Sequence, residues 1–167
     1  GHCRGPEPAY GRSESLGPGI EPGVLYEGGA FGAVREAVAS GLFNSLATKA
    51  VRRALADPGD YARWTGLRHG EDLFQLIPFV DAARSFFALD EALYFYRENP
   101  ASSTAAFRPS QVDDLEVVCA RLDEHARRWG GRCPAEARAM ACRHGRWLLA
   151  GVAAAPASFA EKAESLE

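Results

Sequence analysis

The stretch "LRHGEDLFQLIPFV", residues 67–80, sets two carboxylates directly after a glycine and directly ahead of a strongly apolar run. Such a run must be buried, and an acidic first turn behind a glycine marks a helix start. We therefore expect a helix from about Glu71 to Arg84. Pro78 lies inside it, where it removes a backbone donor and crowds the preceding turn, so a kink is expected. Glu71 and Asp72 then carry two readings. Acids in a first turn stabilise the helix dipole by roughly 0.3–1 kcal/mol and need no further purpose. Alternatively, one of them is a catalytic base.

The remaining chain is read around that helix. Residues 1–23 hold six Gly and four Pro, which suits a flexible arm and no inner strand. "GGAFGAVREAVASGLF" places Phe31, Val34, Val38 and Leu42 at helical spacing, with Gly41 as the stop. "NSLATKAVRRALAD" fits a strand in its first half and a helical turn later. "DPGDYARWTGLRHG" reads as loop, anchored by Tyr61 and Trp64. "SFFAL" and "ALYFYRE" are short, aromatic-rich and read as strands able to pair. Beyond Pro100 two amphipathic helices are expected. The first is capped by Ser110, with Val112, Leu115, Val118, Leu122 and Trp129 on one side. The second has Pro134 in its first turn and Met140, His144, Trp147 and Leu148 inward. "SFAEKAESLE" reads as a short third helix. The expected fold class is α+β with helix dominant: a small sheet from "SFFAL", "ALYFYRE" and "NSLATKAV", packed by helices, plus a C-terminal helical hairpin.

Composition narrows the function classes. At 167 residues, 47% apolar and 25% charged, the chain suits one globular domain without disulfide support. A net charge of −3 argues against a sequence-independent nucleic-acid binder, and the arginines are interleaved with acids as solvated surface. Cys3, Cys119, Cys133 and Cys142 show no CxxC pair and no metal-finger spacing. Cys119 and Cys142 fall in helical patterns, where a free thiol behaves as a small buried hydrophobe and points to a reducing compartment. No run of 18 apolar residues and no signal peptide is present, so a cytoplasmic location is expected.

Two motifs in the middle of the chain stand in a telling order: "LYEGGAFGAVREAVASGLFNSLATKAVRR", then "GLRHGEDLFQLIPFVDAARSFFALDEALYFYRENPASST". Together they resemble the C-terminal, acceptor-side half of a family 2 glycosyltransferase of the GT-A type, over about residues 24–105. With the arm over 1–23 and the helical extension over 107–167 already read from their residues, the resemblance makes 24–106 an acceptor-side region. It also implies an inverting transfer of a sugar from a nucleotide-sugar donor to a glycan acceptor, in bacterial polysaccharide biosynthesis. Membrane association would come through other components.

In that chemistry a base takes the proton from the attacking hydroxyl, and the family's base matches Asp72, with Glu71 beside it. A carboxylate at a helix N-terminus stays ionised and well directed. Arg97, Lys49, His69 and Gly70 are the substrate-side candidates. Gly70 would leave room for the acceptor sugar, and Arg97 would serve the diphosphate or the acceptor. Each has a plain alternative: Arg97 as a solvated strand end, His69 as a loop residue, and Lys49 as structural, since Thr48 replaces the family's Asn beside it. Tyr94 and Tyr96 suit core packing. No Asp-x-Asp motif precedes residue 24, so the divalent metal (Mg or Mn) and the donor are expected in a separate half. The chain alone is then expected to be inactive. The competing expectation is a non-catalytic interaction module on the same scaffold, self-associating through an exposed sheet edge.

Overall fold

The computed structural model describes residues 19–56, 66–91, 93 and 108–154. It is helix-dominant with one small antiparallel sheet. Strand β1 (Leu25–Glu27) leads through a 3-10 turn (Gly28–Phe31) into helix α1 (Gly32–Ala39). Two further 3-10 turns, Leu46–Thr48 and Arg53–Leu55, precede helix α2 (Glu71–Ala82) and strand β2 (Ser85–Phe87). Helices α3 (Ser110–Trp129) and α4 (Cys133–Ala154) complete the order. No helix among the described residues is long and apolar enough to cross a membrane.

The sheet differs from expectation. "SFF" is a strand, but its partner is β1, in the register Leu25↔Phe87, Tyr26↔Phe86, Glu27↔Ser85. Backbone bonds from Gly23 N to Ala88 O (2.7 Å) and from Ala88 N to Val24 O (3.0 Å) extend the pairing. Residues 92 and 94–98 of "ALYFYRE" lie outside the described residues, with Arg97, Tyr94 and Tyr96 among them. "NSLATKAV" is no strand. Its centre is the Leu46–Thr48 turn, where Ser45 O accepts both the Thr48 hydroxyl (3.0 Å) and the Lys49 ammonium (2.7 Å). Those local bonds compete with a ladder.

Alternation along the two strands turns Tyr26 and Phe86 to the core and Leu25 and Phe87 outward. Phe86 meets Phe43 edge-on at 5.5 Å. The Tyr26 hydroxyl accepts Glu21 N–H (2.7 Å) and donates to Gly19 O (3.3 Å), and Ile20 is buried in the core, so residues 19–23 are tied to the body.

Phe31 in the turn before α1 and Val34 and Val38 on the helix are buried as their spacing predicts, Ala37 with them, and the chain leaves the helix through Gly41 with φ +71°. A Cβ there would lie 2.3 Å from Met140 Cγ, so glycine is required by both backbone and neighbour. Leu42, expected inward, is 61% exposed because the left-handed turn carries it past the helix face. Helix α2 continues through Pro78 and stops at Ala82, two residues early, burying Leu73, Phe74, Leu76, Ile77 and Val80.

Helices α3 and α4 form the expected hairpin across Gly130 and Gly131, both at positive φ. Leu115, Val118, Leu122 and Ala126 line the buried side of α3. Ser110 does not cap it. The helix starts at Ser110 itself, and Gln111 Oε1 instead accepts Arg108 N–H (2.9 Å). On α4, Met140 is buried and His144 and Leu148 are half-buried, but Trp147 is exposed at the rim. Two surface expectations also change. Cys142 is exposed rather than buried, and Arg143 is packed, donating to Ser40 O at the end of α1.

Candidate functional site

Gly70 opens α2 with φ +76°, a conformation that costs other residues about 1–2 kcal/mol. A Cβ there would meet Val118 Cγ2 at 3.1 Å. On the side where a Cβ would lie, the space beside Gly70 is thus filled by α3. Arg68 N–H, just upstream, donates to the buried Asp114 carboxylate at 3.1 Å. The loop entering α2 is in this way pinned to α3 on both sides of His69.

That entry aims Asp72 at the Leu46–Thr48 turn. Asp72 Oδ2 accepts the N–H of Leu46 at 3.3 Å, and Oδ1 has no hydrogen-bond partner among the described residues. Lys49, at the end of the same turn, donates to Ser45 O (2.7 Å) and Thr48 Oγ1 (3.3 Å), and its Nζ lies 3.9 Å above the centre of the Phe43 ring. Burial lowers its amine to about 8, and the nearby Asp72 carboxylate opposes that shift without cancelling it. Asn44, at the start of the turn, carries a buried Oδ1 with no hydrogen-bond partner among the described residues. Asp72 and Lys49, chosen from separate motifs, therefore share one site.

On the other side of the helix start, His69 stacks flat on Trp147, with centroids 5.1 Å apart and planes 5° apart. Burial lowers the His69 pKa and His144 lowers it further, against the opposing pull of Glu71 and Asp114. His144 Nδ1 lies 3.0 Å from Met140 O, so that nitrogen carries the hydrogen. Glu71, half-buried, belongs to this side. Trp147, Phe43 and Ser45 escaped sequence reasoning. Trp147 sat on the helical side expected inward, and the other two gain meaning only once the turn folds back on α2.

A second polar cluster ties α2 to α3. Asp81 accepts the Trp129 indole N–H (2.8 Å) and sits 3.1 Å from His125 Nδ1, with Arg128 3.4 Å away. Arg128 Nη2 is 2.8 and 2.9 Å from the two ring nitrogens of His125, so the guanidinium lies over the ring. The Asp81 contact favours a protonated ring, yet burial comes first, and with Arg128 and Arg121 it moves the His125 pKa downward. Among the described residues, no three of His, Cys, Asp and Glu come together as a metal-binding group.

No family model, no curated protein and no solved structure matches the chain.

Proposed function

We propose that this chain is the acceptor-side portion of an inverting glycosyltransferase, related to the GT-A enzymes of family 2. Asp72 is the base that takes the acceptor's proton. The observation that carries the reading is the meeting of Asp72 with the turn bearing Lys49. The Leu46 N–H holds Oδ2 and fixes the carboxylate plane, while Oδ1 stays available to accept a proton. In the reaction the acceptor oxygen bonds to the anomeric carbon as the bond to the nucleoside diphosphate breaks, and the hydroxyl proton passes to Oδ1. The divalent ion of such enzymes finds no fitting ligand set among the described residues. Donor binding belongs to another half.

A direct test begins with the intact mass of the native gene product, read by antibody capture and mass spectrometry. A product larger than 18.0 kDa by on the order of 10 kDa or more has room for a donor half. In that product Asp72→Asn, which keeps an acceptor for Leu46 N–H, should cut sugar transfer by about 10²–10⁴-fold with little change in melting temperature. Transfer left intact in Asp72→Asn would sink the assignment.

One observation favours a second reading, an interaction module. Leu25, Phe87, Leu89 and Leu93 are all at least half exposed, and the first two are direct cross-strand partners. A native product near 18.0 kDa that self-associates without binding sugar would favour that reading.

A further inference from the structure

Helix α4 is apolar on two sides. Cys133, Ala137, Met140 and Val152 are buried against the body, whereas Ala139, Cys142 and Leu149 stand on the outward side, with Leu149 54% exposed. A helix that is apolar all round is ordinarily covered all round. Together with Arg143, Gly145 and Arg146, the three outward residues line one open groove. A Cβ at Gly145 would meet no heavy atom within 4 Å, so no neighbour among the described residues requires this glycine, although glycine weakens a helix interior relative to Ala. Glycine in such a place suits a covering segment that comes close to the helix.

The chain supplies a segment that fits this groove. Residues 155–167, "APASFAEKAESLE", follow α4 directly and lie outside the described residues. Pro156 is a helix breaker, and Ser158 followed three places later by Glu161 is a capping box, which starts the short helix expected over "SFAEKAESLE". Phe159, Ala163 and Leu166 recur at i, i+4 and i+7 and make one apolar side. Glu161, Glu164 and Glu167 stand against the single Lys162, so the segment is acidic. The outward side of α4 is basic: Arg138 and Arg146 are exposed and have no ion-pair partner among the described residues. Length agrees as well. A helix over 158–167 spans about 15 Å, which matches the stretch of α4 from Ala154 back to Gly145. Residues 155–157 suffice for the reversal, since helix hairpins turn in roughly two to five residues.

We propose that residues 158–167 fold back antiparallel on the outward groove of α4, with Phe159, Ala163 and Leu166 in the groove and Glu164 facing Arg146. The groove is thereby a receptor for an acidic amphipathic helix, and the chain occupies it itself, whatever chemistry Asp72 performs. Hydrogen exchange of the full chain, read by mass spectrometry, tests this docking. A helix this short does not hold on its own in water, so protection over 158–167 requires a surface beneath it. The expected result is exchange there about tenfold slower than in a free peptide of the same sequence. Leu149→Glu, at an exposed position, should abolish that protection and speed alkylation of Cys142, while the helix around buried Met140 keeps its own protection. Arg146→Glu should do so in part, and Glu164→Lys added to it should restore protection. Exchange at the free-peptide rate in the unaltered chain would overturn the docking. Protection that survives Leu149→Glu would overturn it too, because the segment would then be covered from elsewhere. Protection that falls on dilution would overturn it in favour of a second copy as the occupant.

Discussion

Lys49 shows how one residue reports on its surroundings. The chain has only two lysines, Lys49 and Lys162, so amine chemistry on it is easily assigned. A folded pKa of about 8 against an ordinary 10.5 means that the fold favours the neutral amine. The sign follows: the unfolded chain binds more protons between these values, so stability rises as pH climbs from about 8 toward 10.5. Lys49→Met should remove that rise, as read by urea melts across this range, and an identical slope in the variant would contradict it. Reductive methylation followed by peptide mapping should also show Lys49 reacting at lower pH than a free lysine. Gly70 and Gly41 make a graded pair at the same scale. Gly70→Ala should cost about 1–2 kcal/mol from backbone sign alone. Gly41→Ala should cost more, because it adds overpacking of about 1–3 kcal/mol against Met140. Equal losses in the two variants would show that Met140 moves aside freely.

Among the elements, α2 carries both a weakness and a clamp. Pro78 cannot donate to the carbonyl one turn back, a defect of about 3 kcal/mol in a helix interior. Pro78→Ala should therefore raise stability by some part of that amount, and a lower melting temperature would mean that the ring's packing matters more. The clamp is Asp81 with His125, Arg128 and Trp129. Burial, Arg128 and Arg121 lower the His125 pKa, while Asp81 and Glu124 oppose them. A His with a lowered folded pKa stabilises fully above its ordinary 6.5, and that contribution is lost as pH falls below it. Melting temperature should drop between about pH 7 and pH 5, and less so in His125→Gln. His69 has the same sign and adds to the drop. Helix positions were legible in the sequence because a 3.6-residue period survives a reading one element at a time: Val34 and Val38, Leu115, Val118 and Leu122 are all buried. The β1–β2 partnership was not. A three-residue strand such as "LYE" has too little alternation to declare itself, and its partner lies far away along the chain. Asp72 and Lys49 were visible as candidates, but their meeting depends on a turn whose folding the local sequence leaves ambiguous. Trp147 was misplaced because helical periodicity sets a direction and not the height of the neighbouring loop.

At the scale of the molecule, the late helices hold the early ones in place. Met140 fills the space beside Gly41, and Arg143 reaches back 103 residues to the last carbonyls of α1. Val118 does the same for the start of α2, and Asp114 for the loop before it. The consequence concerns the order in which a ribosome delivers the chain. When β1 and α1 emerge, β1 has no strand partner, since β2 is not yet made, and the C-terminal end of α1 has neither Met140 nor Arg143 to meet. Native closure of residues 19–50 must then wait for nearly all the described chain, so the Phe31–Val38 stripe stays uncovered until α4 is made. A stalled nascent chain ending at Gly130 should accordingly remain open to limited proteolysis within α1, and one extending past Ala154 should become resistant.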